Sequence, residues 1–174
     1  SLRNQLYISL EKFADKRTDA YLTVADTMTQ KAQAAGIGLD KDFTTAYSAI
    51  EEDDYLTEPS ETQIADFRRR YGISPQATVI TTISRIAELK GHDYIIESAK
   101  ELAHRFPNVV WLFVGDGHLK QEIKKQIQMA NLSYRFRFTG MVDPEEIPDV
   151  LHASDLLVHC SLREGLARVL PQAM

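Results

Sequence analysis

Apolar residues recur at spacings near 3.6 between positions 3 and 16, where Leu6, Ile8, Leu10, Phe13 and Ala14 stand among charged neighbours. That period predicts an amphipathic helix, although Ile8 breaks its stripe. DAYLTVAD (19–26) reads as a short strand, and Asp26 or Thr27 is placed to cap a helix with the face Met28, Ala32 and Ala35, ending at Gly36. KDFTTAYSAI (41–50) reads as extended. EEDDYLTEPS (51–60) has four successive acids, few apolar residues and a proline, the composition of a connection between two folded parts. A domain boundary is expected there.

The remaining pattern is more regular. Ser60-x-x-Gln63 is a capping-box spacing before a helix with Ile64, Phe67 and Tyr71 inward, stopped by Gly72. ATVITTIS (77–84) then reads as a buried strand, and a helix over 92–105 turns Ile95, Ile96, Ala99, Leu102 and Ala103 inward. VVWLFVG (109–115) is the next strand. A helix over 118–131 carries Leu119, Ile123 and Ile127, followed by strand FRFTG (136–140), a short helix from Pro148 to Ala153 and strand DLLVHC (155–160). Pro148 fits the first turn of its helix, where an N–H is not needed. Apolar strands alternating with amphipathic helices make this an α/β chain: a parallel sheet with helices on both faces.

Composition adds few constraints. With 174 residues, 44% hydrophobic and a net charge of -5, the chain has enough apolar residues for a core and no basic excess suited to nucleic acid. Cys160 is the single cysteine, so neither a disulfide framework nor a cysteine metal site is available, and a reducing, cytoplasmic setting is expected. The longest apolar run, VVWLFV, is far short of a membrane span, and no signal-peptide pattern opens the chain. The start at Ser1-Leu2 and the stop at Met174 both read as cuts, so a fragment is expected.

In an open parallel sheet, ligands bind where the strands end and helix N-termini present unpaired N–H groups. SRIAELKG follows the strand over 77–84 and carries Arg85 and Lys90, a pair able to clamp a diphosphate; the alternative is two solvated surface charges. VGDGHLK follows the strand over 109–115. Its Gly115 and Gly117 suit either close approach to a ligand or a turn that packs strand on helix. Lys120 occupies the place of the third glycine of a dinucleotide fingerprint, which weakens a nicotinamide reading. Gly140-Met141-Val142 offers backbone groups to a planar base, or is a plain turn. Glu164-Gly165, before a short apolar helix whose amides can face a phosphate, either accepts from sugar hydroxyls or caps that helix.

Taken in order, SRIAELKG, FVGDG, FTG and ASDLLVHCSLREGLARVLPQAM resemble the C-terminal, donor-binding half of retaining glycosyltransferases of the GT-B fold. RTDAYLTVADTMTQKAQAAGI and TTAYSAIEEDDY are similar to the end of that family's N-terminal domain and its hinge. The resemblance implies a Rossmann-like domain, truncated, over 61–174, a linker over 51–60, and the end of an acceptor domain with the hinge strand over 1–50. It further implies a nucleotide-diphosphate sugar as donor and a saccharide, lipid-linked or small-molecule acceptor, with no cofactor, metal or nucleic acid. It places the protein in the cytoplasm, with attachment to the inner membrane face left open.

Residue by residue, the resemblance makes Arg85, Lys90 and Glu164 the catalytic residues: Arg85 and Lys90 act on the donor diphosphate, and Glu164 is the first glutamate of a Glu-x7-Glu motif, contacting the donor sugar. Gly115, Gly117, Met141, Val142, Gly165, Leu166, Ala167 and Val169 complete the implied donor site. The second glutamate, the one that holds ribose hydroxyls, is here Gln172. Ala49 in the hinge and Ala167 after Glu164-Gly165 also depart from the family's usual glycine, or glycine and proline. Two alternatives stand beside this reading. One is a noncatalytic nucleotide-binding or interaction module derived from such an enzyme, and the other is a Rossmann-type oxidoreductase.

Overall fold

The computed structural model describes residues 2–47, 49 and 53–174, with the side chains of Asp53 and Asp54 outside the description. Ser48 and Ile50 of the expected extended stretch, and Glu51 and Glu52 of the acidic connection, also lie outside the described residues. The chain divides into two compact units, Ser1–Ile50 with Glu164–Arg168, and Glu51–Arg163 with Val169–Met174.

In the first unit, α1 (Leu2–Asp15) forms where the apolar spacing predicts it, yet Leu6, Leu10 and Phe13 are exposed and Ile8 is half-buried. β1 (Ala20–Thr23) is shorter than the expected strand, because Asp26 already opens α2 (Asp26–Ala34). The N-cap is Ala25, not Asp26 or Thr27. Its extended backbone turns the chain without a side-chain cap, and Asp26 in the first turn accepts from Tyr47 Oη at 2.7 Å. Hydrogen bonds from Thr45 and Tyr47 hold the Asp26 carboxyl below its ordinary range. Gly36 ends α2 at φ 74°, and Ile37 N donates to Ala32 O (3.0 Å) across it. β2 (Asp42–Thr45) runs parallel to β1, with the rings of Tyr21 and Phe43 stacked 4.7 Å apart.

The second unit opens with α3 (Asp53–Leu56), a helical turn inside the stretch that composition marks as a plain connection. Consecutive acids suit the first turn of a helix, where the macrodipole favours negative charge. α4 (Glu61–Arg70) starts on a complete capping box: Ser60 N donates to Gln63 Oε1 (2.9 Å) and Gln63 N to Ser60 Oγ (3.3 Å). Next come β3 (Thr78–Ile83), α5 (His92–Leu102), β4 (Val109–Val114), α6 (Lys120–Met129), β5 (Phe136–Gly140), α7 (Ile147–His152), β6 (Leu156–Leu157) and α8 (Val169–Gln172). The strands are all parallel, in the order β5-β4-β3-β6.

Alternation along the strands divides the core in two. Ile80, Trp111, Phe113 and Phe136 face one way and pack with Ile95, Ile96 and Ala99 of α5 and Ile123 and Ile127 of α6. Val79, Leu112 and Val114 face the other way and pack with Phe67 of α4 and Val150 of α7. Ile95 and Ile96 are each 1% exposed, so each contributes about 1.5–3 kcal/mol of burial. Helices therefore cover both faces, as the periodicity requires.

β6 departs from its expected span of 155–160. Only Leu156 and Leu157 pair with β3, because Val158 N still reaches Thr81 O (2.8 Å) but Thr82 Oγ1, not a backbone N–H, donates to Val158 O (3.1 Å). The chain then leaves the ladder.

Candidate functional site

The loops that follow β3, β4 and β5 are stitched together at the carboxyl end of the sheet. Ser84 N donates to Val114 O (3.0 Å), Ile86 N to Asp116 O (2.9 Å), Leu119 N to Ile86 O (3.2 Å) and Gly115 N to Gly140 O (2.8 Å). This brings Arg85, Lys90, Gly115, Gly117, Met141 and Val142 to one end of the second unit. Arg85 is exposed there, and its guanidinium has neither a carboxylate nor a hydrogen-bond partner among the described residues. Its charge is left for a ligand or for solvent.

The two glycines after β4 have a specific local reason. A Cβ at Gly115, where φ is 127°, would lie 2.2 Å from Ser84 O, and one at Gly117 would lie 2.1 Å from Ile86 O. Both therefore let the β4 turn lie against the β3 turn, which is the packing reading of VGDG. Asp116 between them accepts from Gly117 N (2.7 Å) and from Lys120 Nζ (2.6 Å). Lys120 first, and then the Gly117 amide, hold its carboxyl below the usual range. Val142 packs partly into the core, and Met141 is exposed at 76%.

The loop after β3 ends on two left-handed backbone positions, Leu89 at φ 67° and Gly91 at φ 78°. Leu89 is a non-glycine residue there, a conformation that tertiary contacts must hold. Leu162 N supplies one, donating to Leu89 O at 2.8 Å. Gly91 supplies the close approach: a Cβ would lie 2.3 Å from Cys160 O. Gly91 is also the N-cap of α5 and provides no capping side chain, so the first amides of an 11-residue helix are left to other acceptors. Behind them His92 is buried, its ring edge-on to Phe113 at 5.0 Å and its Nε2 3.5 Å from Ser84 Oγ. Burial pushes its imidazole below the ordinary value.

Glu164, Gly165, Leu166 and Ala167 group with the first unit. Glu164 and Leu166 are exposed, and a Cβ on Gly165 would meet Met28 Sδ at 2.9 Å. The helix-cap reading of Glu164 falls, because α8 begins five residues later at Val169. α8 is also a single turn, too short to present a set of amides to a phosphate as expected of it; α5 is the helix long enough to do so. Val169 is buried, so its side chain is turned into the protein.

Gln172, half-buried in α8, donates from Nε2 to Tyr55 Oη at 2.6 Å. Sequence reasoning missed Tyr55, since no spacing rule connects residues 117 positions apart. It also passed over Glu88, whose carboxylate lies 2.9 Å from His118 Nε2 and is held below its usual range by that contact. The Asp116–Lys120 pair was within reach, as an i,i+4 spacing in VGDGHLK. Among the described residues no group of three or more His, Cys, Asp or Glu side chains is arranged to hold a metal ion, and no helix is long and apolar enough to cross a membrane.

Comparison with known proteins agrees with this architecture. The family model described as glycosyl transferases group 1 matches residues 63–174. The 2-deoxystreptamine glucosyltransferase of Streptomyces kanamyceticus is 29% identical over 175 residues, taking in 99% of this chain and 44% of the relative. The alpha-D-kanosaminyltransferase of the same organism is 30% identical over 168 residues, 94% of this chain and 42% of that protein. This chain thus spans less than half the length of either. Among solved structures, Anabaena HepE in complex with UDP and glucose superposes with a TM-score of 0.84 at 22% identity, over 97% of this chain and 46% of that one. WaaG, a glycosyltransferase involved in lipopolysaccharide biosynthesis, does so with a TM-score of 0.73 at 18% identity, over 90% and 41%. The fold is the α/β, Rossmann-like arrangement of GT-B proteins. With a match that runs from Gln63 to Met174 and takes in the β3, β4 and β5 loops, the chain belongs to the glycosyl transferases group 1 family.

Proposed function

We propose that this chain supplies the donor-binding half of a glycosyltransferase that moves a sugar from a nucleoside diphosphate to an acceptor hydroxyl with retention of anomeric configuration. Residues 61–174 are assigned to the donor domain, 51–60 to the connection and 1–50 to the end of the acceptor domain. The observation that carries the reading is Arg85, an exposed guanidinium with no partner among the described residues, in the loop that leads from β3 to the uncapped N-terminus of α5. An anion is the ligand such a place favours.

In this reading Arg85 and Lys90 bind the donor diphosphate, Glu164 accepts from the sugar hydroxyls and Gln172 holds the ribose. The bond between the anomeric carbon and the diphosphate oxygen breaks, and the acceptor oxygen bonds to that carbon on the same face. The acceptor proton passes to the departing diphosphate. Protein groups act mainly by stabilising the negative charge that develops on the leaving group, a contribution worth about 2.7–4 kcal/mol per preorganised donor in comparable sites. The two cations supply the charge that a divalent ion supplies elsewhere. Because the acceptor approaches from the other domain, the 174-residue chain alone is silent in transfer.

HepE holds UDP and glucose, and the Streptomyces relatives are named as sugar transferases, so uridine diphosphate sugars lead the candidates. The test is calorimetry of the complete protein against uridine, guanosine and adenosine diphosphate sugars. Binding of one series, lost in Arg85→Ala, is expected. Binding of none overturns the reading.

A further inference from the structure

The contact between α3 and α8 bears on how the nucleoside half of the donor is held, and this inference rests on the donor-site reading above. Gln172 Nε2 donates to Tyr55 Oη at 2.6 Å, and both side chains are half-buried. Tyr55 is itself anchored, since its carbonyl lies 3.3 Å from His152 Nε2 at the end of α7. A carboxamide has one donating end and one accepting end. With the amino group committed to Tyr55, the Oε1 end is fixed in direction, and among the described residues it accepts no hydrogen bond. The Tyr55 hydroxyl, having accepted from Gln172, keeps its own proton to donate, and it donates to no other group among the described residues.

An acceptor and a donor are therefore held side by side, bridged by one short bond. That pair is the complement of two neighbouring hydroxyls, one donating and one accepting. A carboxylate at position 172 would need its partner's proton and would leave no donor facing outward. The amide keeps both.

We propose that Tyr55 is a positioning residue for the nucleoside: it orients Gln172 so that Oε1 accepts from one ribose hydroxyl, while the Tyr55 hydroxyl donates to the other. The site would take a ribonucleoside diphosphate and discriminate against one lacking the diol. Inorganic diphosphate, which engages the Arg85 end, would be indifferent to it.

The test is calorimetry on the complete protein and on its Tyr55→Phe, Gln172→Ala and doubly substituted forms. The ligands are a ribonucleoside diphosphate, its 2′,3′-dideoxy counterpart and inorganic diphosphate, using whichever of the uridine, guanosine or adenosine series the unsubstituted protein binds. Tyr55→Phe should reduce the preference for ribose over dideoxyribose by about threefold to tenfold, the range of a net neutral hydrogen bond, with inorganic diphosphate binding unchanged. The double substitution should lose more of the ribose preference than Gln172→Ala alone, because the hydrogen bond donated by the Tyr55 hydroxyl is lost as well. A preference lost in Gln172→Ala but kept in Tyr55→Phe would overturn the role of Tyr55 and leave the donor reading standing. A preference kept in both would remove Gln172 from the ribose and this proposal with it. Equal weakening of all ligands by Tyr55→Phe would reduce the residue to a general packing role. Absence of binding in every series would overturn the donor reading itself.

Discussion

Gly91→Ala is the substitution whose cost the geometry specifies most fully. Gly91 has φ 78°, and an alanine there carries the left-handed penalty of about 1–2 kcal/mol. The added methyl would also lie 2.3 Å from Cys160 O and 2.6 Å from Cys160 Cβ, so either α5 or the segment after β6 must move. Overpacking of that kind costs about 1–3 kcal/mol. The sum is about 2–5 kcal/mol, less about 0.4–1 kcal/mol returned by stiffening the unfolded chain. Trp111, the chain's single tryptophan, is buried in β4 and reports unfolding of the second unit. In a urea titration followed by its fluorescence, the midpoint should fall by about 0.3–2.3 M at a slope of about 2–3 kcal/mol/M. A loss below about 1 kcal/mol would refute the geometry. Cys160→Gly gives a second arm. It removes the Cβ contact and leaves the carbonyl contact, so it should not rescue Gly91→Ala; full rescue would place the clash on the side chain instead.

Arg85→Ala in the complete enzyme should lower kcat/KM by about 2–4 kcal/mol of transition-state stabilisation, and unchanged turnover would remove Arg85 from the site. His92 predicts a pH dependence. Burial holds its folded value below 6.5, so the unfolded chain takes up the proton first and stability falls as pH drops through about 6.5. The fall levels off below the folded group's own lower value, and His92→Gln should flatten it between pH 7.5 and 5.5 in urea midpoints, by about the uptake of one proton. Arg135, 6% exposed, donates to Ala103 O (2.7 Å), Phe106 O (2.9 Å), Pro107 O (3.1 Å) and Val109 O (3.3 Å). Arg135→Met leaves those carbonyls short of donors and should destabilise by about 3 kcal/mol; a change under about 1 kcal/mol in chemical unfolding would show that water replaces the guanidinium.

What the sequence revealed and concealed follows the range of the interactions. β3, β4 and β5 are runs of apolar residues closed by turns, and α5 and α6 carry their inward residues at helical spacing, so local pattern located them within a few residues. The capping box at Ser60 and Gln63 and the left-handed end at Gly36 are equally local. β6 was overestimated because VHC is as apolar as a strand. Its departure from the ladder depends on Thr82 Oγ1 meeting Val158 O and on Gly91 lying against Cys160, both nonlocal. α3 was hidden because acids and a proline mark a connection as readily as a helix start.

The candidate site divides in the same way. The place of Arg85 and Lys90, in the loop between β3 and α5, was legible because the apolar run of the strand and the helical spacing of α5 bracket that loop. The contribution of Gly115 and Gly117 was ambiguous in sequence, and it turns on the carbonyls of Ser84 and Ile86 in another loop. Tyr55 stood in a stretch with no chemical motif, and only the folded chain brings it to Gln172.

The most direct test of the donor-site account is a crystal structure of the complete protein with the nucleoside diphosphate that calorimetry selects. The account predicts the diphosphate at the carboxyl end of β3, with its oxygens about 2.7–3.1 Å from the Arg85 guanidinium and the first amides of α5, and the ribose against Gln172. A nucleotide bound elsewhere, such as in the groove lined by Ile64, Arg68 and Pro75 along α4, with Arg85 still in solvent, would contradict it.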